Sequence, residues 1–363
     1  MSYPILYWPV STEFDDNGIG VLSSCISCLV TEEANGMYEL EMKYPMDGIH
    51  YSWIAERYII KAKPNRDAEP QLFRIYSISR PISGIITIHA EHISYDLTGI
   101  PVAPFSAENA QSAMEGLLNN AVVVCPFTFS TDKDTVAEFS ADVPGSIRSK
   151  LGGQQGSILD VYGGEYEFDN FNVMLHNRRG ADRGVSIRYG KNLTNLKQDS
   201  NCASVATGVY PYWVNAETGV VKQLAEKIID VEGTFDFVKI KMLDISNDFA
   251  EEPTDEQMRS FTRNFIQNND VGVPSVSLTV SFEQLSRYDD YNNVEILEKI
   301  SLFDYVSVEF PALGVSTTAK VNKIVYNVLL DRIEKVNIGT MKSKITDTIA
   351  SLPPGIQLGG LAR

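Results

Sequence analysis

The sequence is poor in the residues that most often carry chemistry. It has four histidines and four cysteines in 363 residues. Four cysteines in so long a chain do not make a disulfide framework. Cys25 and Cys28 form one Cys-x-x-Cys pair, Cys125 and Cys202 stand alone, and no second pair completes a structural zinc site. Basic residues are also scarce: 31 Lys and Arg against 47 Asp and Glu leave a net charge of −16. That excess argues against nucleic-acid binding and against docking on anionic lipid, both of which need a basic surface. Long apolar runs are missing too. Ala121–Cys125 and Val205–Tyr210 fall far short of the ~18 residues of a membrane span. Met1–Val10 has no basic region and no long apolar stretch, so no signal peptide is expected.

Apolar residues, at 44%, are plentiful enough for several cores, which excludes a disordered chain. At roughly 100–200 residues per domain the length suggests about two to four domains.

The first hundred residues read as β structure. Gly36–Tyr44 alternates apolar and polar residues, Val21–Thr31 is strand-like, and Tyr58–Lys61, Leu72–Arg80 and Ile85–Ala90 are β-branched and aromatic. Pro81–Gly84 is a hairpin signal. The expectation is a small barrel or sandwich. Pro101 and Pro104 then mark a linker, and Ser106 is placed as the N-cap of a helix to about Asn119. Strand-like pieces follow at Ala121–Phe129, and short helices are expected from Pro144 and over Gly156–Tyr162. Glu165–Leu175 alternates around Asp169-Asn170 as a hairpin, and Val185–Tyr189 continues the sheet. Strands return from Asn201 through Tyr212 and at Val238–Met242. Thr254 and Gln257 have capping-box spacing for a helix to about Asn269. Val276–Phe282, Tyr305–Phe310, Ala319–Leu330 and Ile333–Gly339 read as strands, Glu295–Ile300 as a short helix, and Ser351–Arg363 as a linker-like tail.

Leu72–His89 resembles Lys320–Asn337: each is a strand, a turn and a returning strand, preceded by Tyr58–Lys61 or Tyr305–Val308. Any two hairpins share this much. The alternative is two related β-barrels, one near each end, around a mixed α/β part. The expected fold class is therefore α+β, mostly β. The domains are a first β-barrel over 1–100, a mixed α/β domain over 101–200, and a β-rich linking region over 201–300 with the helix at 254–269. The strands of a second barrel over 301–345 and a tail over 346–363 complete the chain.

No catalytic constellation is found, and no catalytic, metal or cofactor-binding residue is assigned. His89 and His92, with Glu91 between them, are three apart on a strand and should face opposite sides. The same argument separates Cys25 from Cys28, which read as small buried or half-buried residues. Gly152–Gly156 and Gly163-Gly164 lack the Lys-Ser or Lys-Thr of a phosphate loop and read as turns. Glu165, Glu167 and Asp169 share one strand face. Carboxylates ~7 Å apart could serve glycoside hydrolysis, but Tyr166 and Phe168 opposite them predict an ordinary half-buried strand with a solvated acidic face. Asp289-Asp290 near Asn292-Asn293 lacks calcium-loop spacing. Arg178–Arg183 is the most basic spot and reads as a hairpin loop.

Several stretches resemble one family. Leu151–Phe171 (Leu-Gly-Gly-Gln-Gln-Gly-Ser-Ile-Leu-Asp-Val-Tyr-Gly-Gly-Glu-Tyr-Glu-Phe-Asp-Asn-Phe) is similar to the signature of the phage tail proteins labelled prophage endopeptidase tail or tail-associated (Tal) proteins. Val173–Gly180, Gly184–Leu193, Ala90–Leu97, Leu243–Ser246, Pro253–Gln257 and Leu302–Val306 fit as well, with Phe303 where the family usually has Gly. The resemblance implies a baseplate-hub-like fold with two barrels per chain. It further implies a homotrimer with a pseudo-sixfold ring, in the virion at the tail tip, made in the bacterial host cytoplasm. Implied partners are the distal tail protein, the tail tube or tape measure protein, and receptor-binding proteins, with DNA passing the channel without specific binding. Lytic activity in the family belongs to separate C-terminal domains. With the chain ending at Arg363 and no catalytic set inside it, no enzymatic activity and no cofactor are expected. The alternatives are a tail-tip cell-wall hydrolase, endopeptidase or glycosidase, and a carbohydrate-binding receptor module built on the 36 aromatics.

Overall fold

The computed structural model describes residues 3–215, 217–233, 235–246, 248–249, 251–269, 271–272, 275–282, 300–310 and 315–339. These residues form two compact units, one within 1–197 and 278–346, the other within 198–277.

The first unit opens with strands β1 (Ile5–Tyr7), β2 (Gly20–Val21), β3 (Ser27–Glu33), β4 (Tyr38–Pro45), β5 (Ile59–Ala62), β6 (Gln71–Ser79) and β7 (Ile85–His92). Alternation sets their faces. In β4, Tyr38, Leu40, Met42 and Tyr44 are buried, while Glu39, Glu41 and Lys43 point away from the core. A mixed part follows: β8 (Pro101–Val102), β9 (Phe105–Asn109), α1 (Ala110–Asn119), β10 (Thr128–Thr131), β11 (Val136–Ala141), β12 (Gly145–Ser146), α2 (Ile147–Leu151), α3 (Ile158–Tyr162), β13 (Glu165–Asp169) and β14 (Asn172–His176). Its core is built on Ala110, Ala113, Met114 and Leu117 of α1 with Phe127, Phe139, Ile147 and Leu175.

The chain continues through β15 (Asp182–Arg188) and leaves the first unit along β16 (Leu193–Asn201). The second unit holds β17 (Gly208–Val214), β18 (Val221–Gln223), β19 (Ile229–Asp230), β20 (Ile240–Asp244) and α4 (Asp255–Asn268). There β17 pairs with β18, β19 and β20. The chain returns along β21 (Ser275–Phe282) to β22 (Tyr305–Phe310), β23 (Val315–Asn327) and β24 (Arg332–Gly339).

The two hairpins that resemble each other in sequence, β6–β7 and β23–β24, belong to one sheet. Its order is β16-β21-β24-β23-β3-β4-β7-β6-β5-β1-β2, with β22 on β23 and β15 parallel to β22. Each hairpin extends a three-stranded antiparallel meander, β5-β6-β7 and β22-β23-β24. Two separate closed barrels are not what forms: among the described residues no sheet closes on itself. The reason lies in β23, whose 13 residues do double duty. Residues 315–320 pair with β22, and residues 323–327 pair with both β24 and β3, which joins the N-terminal strands β1–β7 and the C-terminal strands β22–β24 in one sheet.

Three local expectations are corrected. Ser106 is not the N-cap; it lies in β9, held by pairing with β11, and Asn109 caps α1 with its side chain accepting from Ser112 N at 2.9 Å. Ala121–Phe129 is not a strand apart from the start of β10, and Val122, Val123 and Val124 are exposed. The helix expected from Pro144 starts at Ile147, capped by Ser146. The helix expected over Glu295–Ile300 lies outside the described residues apart from Ile300, and so do Asp289-Asp290, Asn292-Asn293 and the tail Ser351–Arg363.

Candidate functional site

The exposed face of β4, β7 and β6 carries an unusual charge row. Antiparallel register sets Glu39 opposite Glu91, and Glu91 opposite Arg74. One step along, Glu41 stands opposite His89. Like charges directly across a ladder are destabilising, so the Glu39–Glu91 pairing costs the sheet stability. Arg74 donates to neither carboxylate, because its guanidinium is committed elsewhere. It forks onto Asp96, with Nε donating to Oδ1 at 2.8 Å and Nη2 to Oδ2 at 2.6 Å, and Nη1 donates to the carbonyls of Arg57 (2.9 Å) and Pro9 (3.3 Å).

Beside this row lies a cleft of about 520 Å³. Ile75, Ile100 and Phe127 supply apolar lining, Tyr76 and Tyr95 aromatic lining, and Glu91 a carboxylate. Burial and the charges of Asp96 and Glu39 push the Glu91 carboxyl above the usual range. Through Pro9 and Arg57, Arg74 also links the cleft to an exposed aromatic cluster. The Trp8 ring lies 5.4 Å from Trp53 and 5.5 Å from Tyr58, with Trp8 43% and Trp53 48% exposed.

The carboxylates read as a solvated acidic face are a correction. Asp169 is exposed, but Glu165 is buried and Glu167 half-buried. Glu165 is paired with Lys320 of β23, and its Oε2 accepts the Arg179 N–H at 2.6 Å. Glu167 Oε2 faces His176 Nε2 at 2.7 Å, and Asp132 Oδ2 faces His176 Nδ1 at 3.3 Å. Arg179 donates to Glu32 at 3.0 Å. The Arg178–Arg183 loop is thus drawn inward: Arg183 donates to buried Asp304 at 3.0 Å, and Arg178 stacks 5.2 Å from the Tyr305 ring. Alternation alone could not foretell this, because the counter-charges come from β23 and from the loop after β14. Together these contacts tie β13, β14, β22 and β23 to one another.

Phe303, where the sequence resemblance predicts Gly, has φ 70, the left-handed region that glycine enters without strain. Its ring is fully buried beneath Lys320 (5.5 Å) and Arg179 (5.8 Å), which offsets that strain. Its carbonyl is packed so close to Gly180 that a Cβ there would lie 2.0 Å from the oxygen.

His89 and His92 do face opposite sides, His92 inward. The Ser94 N–H donates to His92 Nδ1 at 3.2 Å, so the ring proton sits on Nε2 and is donated to Gln71 Oε1 at 3.1 Å. Gln71 in turn accepts from Asn170 N at 2.7 Å and donates to Asp169 at 2.8 Å, pinning the β13–β14 turn to β6. Burial and the Arg148 guanidinium hold His92 well below the usual imidazole range, at about 3. Cys25 and Cys28 are brought together, contrary to the strand expectation. Cys25 lies in the bend before β3, so both thiols enter the same core, and burial with the Cys25 contact pushes the Cys28 thiol up. Gly163 and Gly164 form the left-handed turn between α3 and β13. Among the described residues no three His, Cys, Asp or Glu are grouped to hold a metal ion, and no helix is long and apolar enough to cross a membrane.

Residues 181–349 match the family described as prophage endopeptidase tail. The span takes in Gly184–Leu193, Leu243–Ser246, Pro253–Gln257 and Leu302–Val306; Leu151–Phe171 lies upstream of it. No curated protein sequence matches the chain. Solved structures do. The prophage tail protein gp18 from Listeria monocytogenes EGD-e is 15% identical with a TM-score of 0.58, over 96% of this chain and 98% of that one. The tail protein from Neisseria meningitidis MC58 is 7% identical with a TM-score of 0.59, over 95% and 99%. The 43 kDa tail protein of prophage MuSo2 from Shewanella oneidensis is 12% identical with a TM-score of 0.58, over 95% and 99%. The chain thus carries a match to the prophage endopeptidase tail family over residues 181–349 and shares its fold along nearly its whole length with these three tail proteins.

Proposed function

We propose that the protein is a structural hub at the distal end of a phage tail. In this reading it assembles as a homotrimer and joins the distal tail protein ring and tail tube to the tip, with DNA passing through its channel. The observation that carries the reading is the fold, shared end to end with three tail proteins that are themselves matched over 98–99% of their length. The exposed Trp8–Trp53–Tyr58 cluster adds a surface suited to protein contacts, since aromatic residues are enriched at interfaces. The acidic excess of −16 per chain suits a channel lining that repels phosphate.

The same reading gives the chain no reaction of its own. The carboxylates most suited to hydrolysis, Glu165 and Glu167, are engaged by Lys320, His176 and Arg179. The deciding experiment is mass by light scattering during size exclusion, at several concentrations, with and without the cognate distal tail protein. A species near three times 40.3 kDa, alone or on the partner ring, is expected. A monomer that ignores the partner would count against the hub. A zymogram on host peptidoglycan is expected to show no clearing, and clearing lost on Glu165→Gln would put the hydrolase in its place.

A further inference from the structure

We propose that the cleft beside the β4–β7–β6 charge row is a docking site for a partner polypeptide segment that presents an arginine or lysine side chain, taken by Glu91. Most other charges around the cleft are already engaged. Asp96 is bound by Arg74, and Glu56 pairs with Arg80 at 3.5 Å. Arg148, the other cation near Glu91, is held between the Tyr95 and Phe168 rings at 4.5 and 4.7 Å and donates to Ser94 and Gly36. Among the described residues no hydrogen bond or ion pair reaches the Glu91 side chain. Glu91 also stands directly across from Glu39, an opposition that a cation would relieve.

The surroundings suit such a cation. Tyr76, 49% exposed, and Tyr95 offer rings to an alkyl stem or guanidinium, and buried Ile75, Ile100 and Phe127 form the floor beneath them. A volume of about 520 Å³ is the size of a side chain with its flanking main chain, not of a whole domain face. Arg57, which also lines the cleft, would meet a carbonyl or carboxylate of the same segment. A polypeptide is therefore favoured over a bare cation. This inference does not depend on the trimer or on the channel.

The test uses the full chain and two blocked peptides, acetyl-Gly-Arg-Gly-amide and its citrulline counterpart, titrated by saturation-transfer NMR. The arginine peptide is expected to bind about tenfold more tightly than the citrulline peptide, the scale of one charge-assisted contact. Glu91→Gln should abolish that preference, whereas Glu41→Gln, on the open sheet face, should leave it. Equal binding of the two peptides would overturn the proposal. So would no saturable binding of the arginine peptide by ~10 mM, or an equal loss in Glu41→Gln, which would mean diffuse attraction to an acidic face. Glu91→Gln removes a like-charge opposition and should fold at least as stably as the parent, checked by thermal melting. Tyr76→Ala, on an exposed ring, gives a second reading, with weaker binding of the arginine peptide expected and unchanged binding counting against the site.

Discussion

Lys320 supplies the counter-charge of a buried carboxylate. It answers the buried Glu165 carboxylate and covers the Phe303 and Tyr305 rings. Lys320→Met would leave a buried carboxylate without its counter-charge, held only by the Arg179 N–H, for which about 3 kcal/mol of destabilisation is expected. Adding Glu165→Gln should recover most of that loss, and urea unfolding of the single and double variants checks it. His92 makes a pH prediction. Its folded value of about 3 lies below the ordinary 6.5, so the unfolded chain binds the proton first as pH falls. The contribution is complete above about pH 6.5 and is lost progressively toward pH 3. Relative to His92→Gln, the parent should lose about 1.4 kcal/mol per pH unit between roughly pH 6 and 5. Parallel stability profiles for the two proteins would contradict this.

At the scale of elements, α4 is set by its first turn. Thr254 Oγ1 accepts from Gln257 N at 3.2 Å, and Gln257 Oε1 accepts from Thr254 N at 2.8 Å. Thr254→Ala should cost the second unit about 1 kcal/mol, and Thr254→Ser should restore it, measured by chemical denaturation. This cap was legible because both partners lie within four residues. The cap of α1 was not, since Ser106 and Asn109 are both good capping residues and only the pairing of β9 with β11 chooses between them. Ala121–Phe129 misled for a related reason. Its residues have strand propensity, but before β10 begins at Thr128 the only bridge is Ala121 to Val102, and the three valines stay outside.

For the whole molecule, charge gives the sharpest expectation. At −16 per chain, a trimer would carry roughly −48, and its channel should not hold DNA. In a low-salt filter assay the assembled protein should retain no duplex DNA, and retention would count against an acidic lining. What the sequence determined by itself is what short-range physics governs: the strand alternations, the β13–β14 hairpin, the α4 cap, the likeness of the two hairpins and the excess of acid. Tertiary structure decided the rest. It joined the N-terminal and C-terminal strands through the pairing of β23 with β3, buried Glu165 against Lys320 from 155 residues away, and aligned Glu91 with Glu39 and an already occupied Arg74. Each of these depends on which strand becomes the neighbour of which. Periodicity along a single strand says which face a residue takes, but not what it will find there.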